Sequence, residues 1–182
     1  MSARKHRVGG VAGGVGTSVI AGLIGAVDCG VVDDRSEPVD VLVCRSVSSD
    51  LVLATRLAAV FVPHPVVVIN ADCGDSPPAP VRDRARMLEP NVPALVWFPW
   101  MKELRSLTSP VDALRHAVLA EPPERWVVRA RARRESLLQA VLPLVTSAQT
   151  NRAPPADEAH TADNRPLHPP TALTAERLRR TS

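Results

Sequence analysis

At 182 residues, 45% hydrophobic and 3% aromatic, the chain can bury one core of ordinary size and carry a tail; with no Tyr and two Phe, that core has to be aliphatic. The net charge of +3 comes with only two lysines, Lys5 and Lys102, an arginine bias typical of high-GC coding, so it gives little support to a nucleic-acid partner. Cys29, Cys44 and Cys73 are odd in number and form no C-x-x-C pair, and no histidine stands nearby at zinc spacing, so the spacing supports neither a metal site nor a Cys–His pair, and reduced cysteines in a cytoplasmic protein are the plain reading.

Arg4, Lys5 and Arg7 precede an uncharged run over 8–27, the grammar of a signal anchor. Gly9, Gly10, Gly13, Gly14, Gly16, Gly22 and Gly25 make that run poorly apolar and poorly helical, so an N-terminally membrane-anchored protein is the alternative rather than the leading reading, and no stable membrane insertion is expected. Strands are predicted over 7–12, 39–44, 65–70 and 93–98, the last stopped by Pro99; each is a β-branched run bounded by Pro, Gly or Asp. Between them fall helices over 18–27, from an N-cap at Ser49-Asp50 to about 60, and through about 88 after a proline-rich loop. A closing helix over 123–145 repeats Trp126, Ala130, Leu137, Val141 and Leu144 on one face. From 147 the composition turns to Pro and small polar residues, which predicts a disordered tail over 147–182 with a short helix at 174–180. The fold class is therefore α/β, a mostly parallel sheet with flanking helices over 1–146, with sites at the carboxyl ends of the strands.

The segment most charged with chemistry is Val8-Gly9-Gly10-Val11-Ala12-Gly13-Gly14-Val15-Gly16-Thr17-Ser18. It has the layout of a phosphate-binding loop between strand and helix. Backbone donors of Gly13, Gly14, Val15, Gly16 and Thr17 would converge on an anion, and the Ser18 hydroxyl would approach a Mg²⁺ ion. Thr17 stands where the lysine belongs, and a glycine turn with no ligand is the plainer alternative.

In this stretch the chain resembles the MinD/ParA/CpaE group of P-loop ATPases, whose deviant Walker A loop reads Lys-Gly-Gly-Val-Gly-Lys-Thr-Thr. Gly13, Gly14, Val15 and Gly16 match; both signature lysines are absent, as Ala12 and Thr17. CpaE-like pilus-localisation relatives and several actinobacterial proteins are similar in carrying Gly-Val-Gly-Thr-[Ser/Thr]. The resemblance extends over about 7–145. It implies that Asn70, ending the 65–70 strand, reads an adenine edge, and that Pro99 after Phe98 lies beside the base. It also places a strand, a switch aspartate and a further helix between the first helix and Asp40, where only Gly30-Val31-Val32-Asp33-Asp34 and a few residues stand, so the switch regions look deleted. Asp33 or Asp34 is then a switch remnant or, more simply, part of a solvated turn.

The resemblance implies a shortened P-loop fold, ATP or ADP with Mg²⁺ as weakly bound cofactor, and a regulatory or scaffolding pseudoenzyme with no catalytic residue. Its output would be association with a protein partner in a pilus, secretion, conjugation or partitioning assembly. The alternative is a slow ATPase completed by a basic residue from a homodimer partner, with Lys5 and the nearby arginines as donors. Asp72 and Asp75 read as loop caps, Trp97 as core and Trp100 as core or contact surface. The arginines at 125, 129, 131, 133 and 134 read as a solvated helix face or, less simply, as a patch for nucleic acid or an acidic membrane surface.

Overall fold

The computed structural model describes residues 4–74 and 76–150, with side chains through 144. Five strands, β1 (Arg7–Gly10), β2 (Val27–Val31), β3 (Val41–Arg45), β4 (Val66–Asn70) and β5 (Leu95–Phe98), form one all-parallel sheet in the order β2-β1-β3-β4-β5. Residues 8–10 of β1 pair with Val41–Val43, Val41–Arg45 with Val66–Asn70, and Val67–Asn70 with Leu95–Phe98. Val41, Leu42, Val43, Cys44, Val66, Val67, Val68 and Ile69 are fully buried, as central parallel strands covered on both faces must be.

Two groups of helices cover the sheet. α1 (Thr17–Ile24), α4 (Pro110–Ala117) and α5 (Arg125–Thr150) pack among themselves, and α2 (Ser48–Val60) packs on α3 (Ala79–Leu88). The chain thus winds outward in both directions from β1 and β3, and the order reverses between these two strands. Ligands of such sheets bind outside the carboxyl ends of the strands near that reversal. The close approach of α4 to α1 depends on Gly22, where a Cβ would stand 2.4 Å from Val111 Cγ1.

Several expectations are corrected. The first helix ends at Ile24 rather than 27, because Gly25 takes a left-handed φ of 68° and Ala26 N–H turns back to Ala21 O at 2.9 Å. A strand then does follow the first helix: β2 runs along the sheet edge, its register to β1 shifted between Val8 and Gly10. Its residues are exposed except for half-buried Cys29, so neither an apolar run nor alternation marks it. The helix α4 was not foreseen, although Ser109-Pro110 is a start signal. α2 begins at Ser48 with Val47 as its uncapped N-cap, so Ser49-Asp50 is not the cap.

The closing helix starts at Arg125 and runs to Thr150, beyond the expected end at 145, and buries Val127, Ala130, Leu137 and Val141. Arg134 on this helix donates from Nε to Leu23 O at 2.9 Å, placing a cation at the carboxyl end of α1. The run over 8–27 divides among β1, a loop, the eight-residue α1 and the start of β2, and no helix among the described residues is long and apolar enough to cross a membrane. The expected tail beyond Thr150, the short helix at 174–180 and Asp75 lie outside the described residues.

Candidate functional site

β1 ends in two glycines, and Val11 N–H bonds to Val43 O at 3.0 Å, which carries the chain across toward β3 before it turns into α1. The turn over 12–16 needs left-handed backbone at Gly14 (φ 72°) and Gly16 (φ 91°), the latter serving as the uncapped N-cap of α1. Around a Cβ position on Gly13 or Gly14 the space is open, so their backbone is free to be approached. A cavity of about 390 Å³ opens over this loop, walled also by Asp28 and Gly30 of β2 and by Pro110 and Val111 of α4.

Thr17, in the lysine's place, faces back toward the sheet: a Cβ built on Gly10 would come within 2.3 Å of Thr17 Oγ1. The Ser18 hydroxyl is exposed and donates to Asp28 Oδ2 at 2.5 Å, while Asp28 Oδ1 accepts Gly30 N–H at 2.9 Å. Among the described residues, Asp28 is the only charged one lining the loop cavity. Sequence reasoning missed it, because it lay just past the helix predicted over 18–27; with β2 unrecognised, no signal marked it as a neighbour of Ser18.

Asn70 closes the loop from behind. Its Nδ2 donates to Val15 O at 3.0 Å, and a Cβ on Gly16 would meet that same nitrogen at 2.3 Å. The amide expected to meet a base is thus engaged with the loop backbone. Asn70 and Pro99 do come together, in a crevice of about 190 Å³ shared with Val19, Trp100 and Arg105. The guanidinium of Arg105 lies 4.4 Å over the Trp100 ring.

The carboxylates past the strands serve local structure. Asp33 accepts Arg35 N–H at 3.0 Å and Ser36 Oγ at 2.8 Å, and the Ser36 hydroxyl is the main cause that holds its pKa below the usual value; Asp34 faces Arg56 at 3.4 Å. Both belong to an exposed turn. Asp72 accepts the buried Ser46 hydroxyl at 2.5 Å, tying the end of β3 to that of β4. Asp50 is buried and takes Arg45 in a two-point pair, Nε at 2.8 Å and Nη2 at 3.1 Å, plus Arg45 N–H at 3.2 Å. Burial alone would raise the Asp50 carboxyl; the Arg45 bonds outweigh it and leave its pKa below the ordinary value. Beside it, burial first and the Asp50 charge second push the Cys44 thiol up to about 12.

A larger cavity, about 440 Å³, lies at the carboxyl ends of β4 and β5, between Trp97, Trp100 and the α5 residues Arg129 and Arg133. Trp97 is half-buried and is a cavity wall rather than plain core filling; Trp100 is half-buried too and divides this cavity from the Asn70–Pro99 crevice. The arginine face of α5 is engaged in part: Arg131 pairs with Glu121, and Arg134 caps α1. Among the described residues, no group of three or more His, Cys, Asp or Glu side chains could hold a metal ion.

The site is thus an open glycine loop at the mouth of a doubly wound parallel sheet, with a hydroxyl–carboxylate pair in place of a lysine. No protein-family model matches the chain, and no curated protein or solved structure matches it.

Proposed function

We propose that this protein is a regulatory or scaffolding relative of the MinD/ParA/CpaE group, whose lysine-less loop holds a nucleotide phosphate weakly and whose output is association with a protein partner. One observation carries the reading: the glycine loop sits at the strand–helix turn beside the order reversal of the sheet, open to a cavity, yet among the described residues no cation lines that cavity. Backbone donors from Gly13 to Thr17 and the α1 terminus supply attraction for an anion, while Asp28 opposes it.

The residues fit a hard divalent cation. The Ser18 hydroxyl and the Asp28 carboxylate are adjacent oxygens of the kind Mg²⁺ takes together with phosphate and water. With Mg²⁺ bound, the carboxylate becomes a ligand instead of a repulsive charge, so ATP and ADP binding depends on the metal. With neither lysine nor a residue placed to orient water, the loop lacks the groups that dominate phosphoryl transfer. Partner association in a pilus, secretion, conjugation or partitioning assembly follows from the resemblance. The cytoplasm follows from the reduced cysteines.

The test is calorimetric titration with ATP and ADP, with and without Mg²⁺, on wild type and Gly16→Val. The expected result is metal-dependent binding in the millimolar range that Gly16→Val abolishes. No heat at millimolar nucleotide makes the loop an inherited turn and overturns the nucleotide half of the proposal. Mg²⁺-dependent hydrolysis rising steeply with protein concentration would instead establish the ATPase completed by a second copy.

A further inference from the structure

The cavity between β5 and α5 has no part in the reading above, and its chemistry is different. Its apolar lining comes from half-buried Trp97, Pro99 and Trp100, with Phe98 buried behind them. Arg129 and Arg133, one helical turn apart on α5, stand at its other side. Among the described residues no carboxylate lines it, in contrast to the loop cavity with its Asp28. At about 440 Å³ it falls within the usual range of small-molecule sites, and it lies at the carboxyl ends of the strands, where such sheets bind ligands.

The walls are held in advance. Trp100 carries Arg105 on its ring, so the indole is braced on a second partner, and the buried Ser46–Asp72 bond fixes the ends of β3 and β4 beside the cavity. Arg133 also borders an adjoining crevice with Arg82, Arg86 and Glu89, in which Arg86 pairs with Asp83 at 3.3 Å. We infer that this cavity is a binding site for a small organic anion with a flat, apolar body, such as an aromatic carboxylate or sulfonate. The ring stacks against Trp97 and Trp100, and the anionic group takes a planar guanidinium fork from Arg133. The site is separate from the glycine loop and stands or falls without it.

The probe is anilinonaphthalene sulfonate, titrated by fluorescence into the folded full-length protein, with neutral anilinonaphthalene as the comparison. The expected result is saturable one-to-one binding. Arg133→Gln weakens it by about tenfold, the loss of one charge-assisted contact. Ala132→Trp, at an exposed α5 position that lines the cavity, blocks it by filling the space. Gly16→Val leaves dye binding unchanged, which separates this site from the loop, and so does Arg125→Gln on the same helix. The exposed thiol of Cys73 lines the cavity, so bound dye slows its alkylation in the wild-type chain, read by peptide mass. Equal affinity for the neutral analogue, dye binding indifferent to both Arg133→Gln and Ala132→Trp, or no protection of Cys73 would each overturn the assignment.

Discussion

The contact between Asn70 and the loop predicts a specific non-additivity. Gly16→Ala places a Cβ 2.3 Å from Asn70 Nδ2 on a backbone with φ 91°. The left-handed backbone costs a non-glycine residue about 1–2 kcal/mol. Displacing the Asn70 amide from Val15 O, a bond of 3.0 Å, costs about 1 kcal/mol more, for a total of about 2–3 kcal/mol. Asn70→Ala alone loses the bond, about 1 kcal/mol. In the Asn70→Ala background the amide is already gone, so Gly16→Ala costs only the backbone term of about 1–2 kcal/mol. The two substitutions therefore couple by about 1 kcal/mol, the double variant being more stable than the sum of the singles implies. Urea unfolding of the four proteins measures this directly. Costs that add to within about 0.3–0.5 kcal/mol would refute the argument that Asn70 acts by holding the loop. The same variants bear on recognition: a residue that holds the loop weakens ATP and GTP alike when removed, whereas one that reads a base edge changes their ratio.

Restoring the missing cation with Thr17→Lys should tighten Mg²⁺-ATP binding by about tenfold, the value of one charge-assisted contact to phosphate, and calorimetry reads it. Asp50→Asn should cost about 2 kcal/mol in urea unfolding at neutral pH, less than for a fully enclosed pair because the Arg45 side chain is 40% exposed. Because the folded Asp50 carboxyl titrates below its unfolded value, its contribution is complete above about pH 4 and is lost as the pH falls through the lowered folded value; the gap between wild type and Asp50→Asn should close over that acid range. Alkylation at mildly alkaline pH should modify exposed Cys73 and spare Cys44, whose buried thiol titrates near 12, until denaturant unfolds the sheet; peptide mass mapping distinguishes the two.

What could be read in advance follows a physical division. β3 and β4 announce themselves because a parallel strand buried on both faces must be a continuous apolar run, and 41–44 and 66–69 are such runs. β2 does not, since Val27-Asp28-Cys29-Gly30-Val31 holds its place by ladder bonds to β1 while every residue but half-buried Cys29 is exposed; one partly buried position is too little burial constraint to leave a pattern. The consequence reaches the site. With the helix expected to continue through 27, Asp28 had no reason to be near Ser18. Only the left-handed Gly25, ending α1, brings the carboxylate round to the hydroxyl. The glycine loop itself was legible because its geometry is written in residue types, glycine where φ is positive. The Trp97–Arg133 cavity was not, because its walls come from β5, α5 and the loop after β4, and only the packing of a helix from the far end of the domain onto the last strand brings them together. The loop and the cavity therefore call for separate tests: one is a local motif that inheritance alone can preserve, the other a long-range arrangement that packing has to maintain.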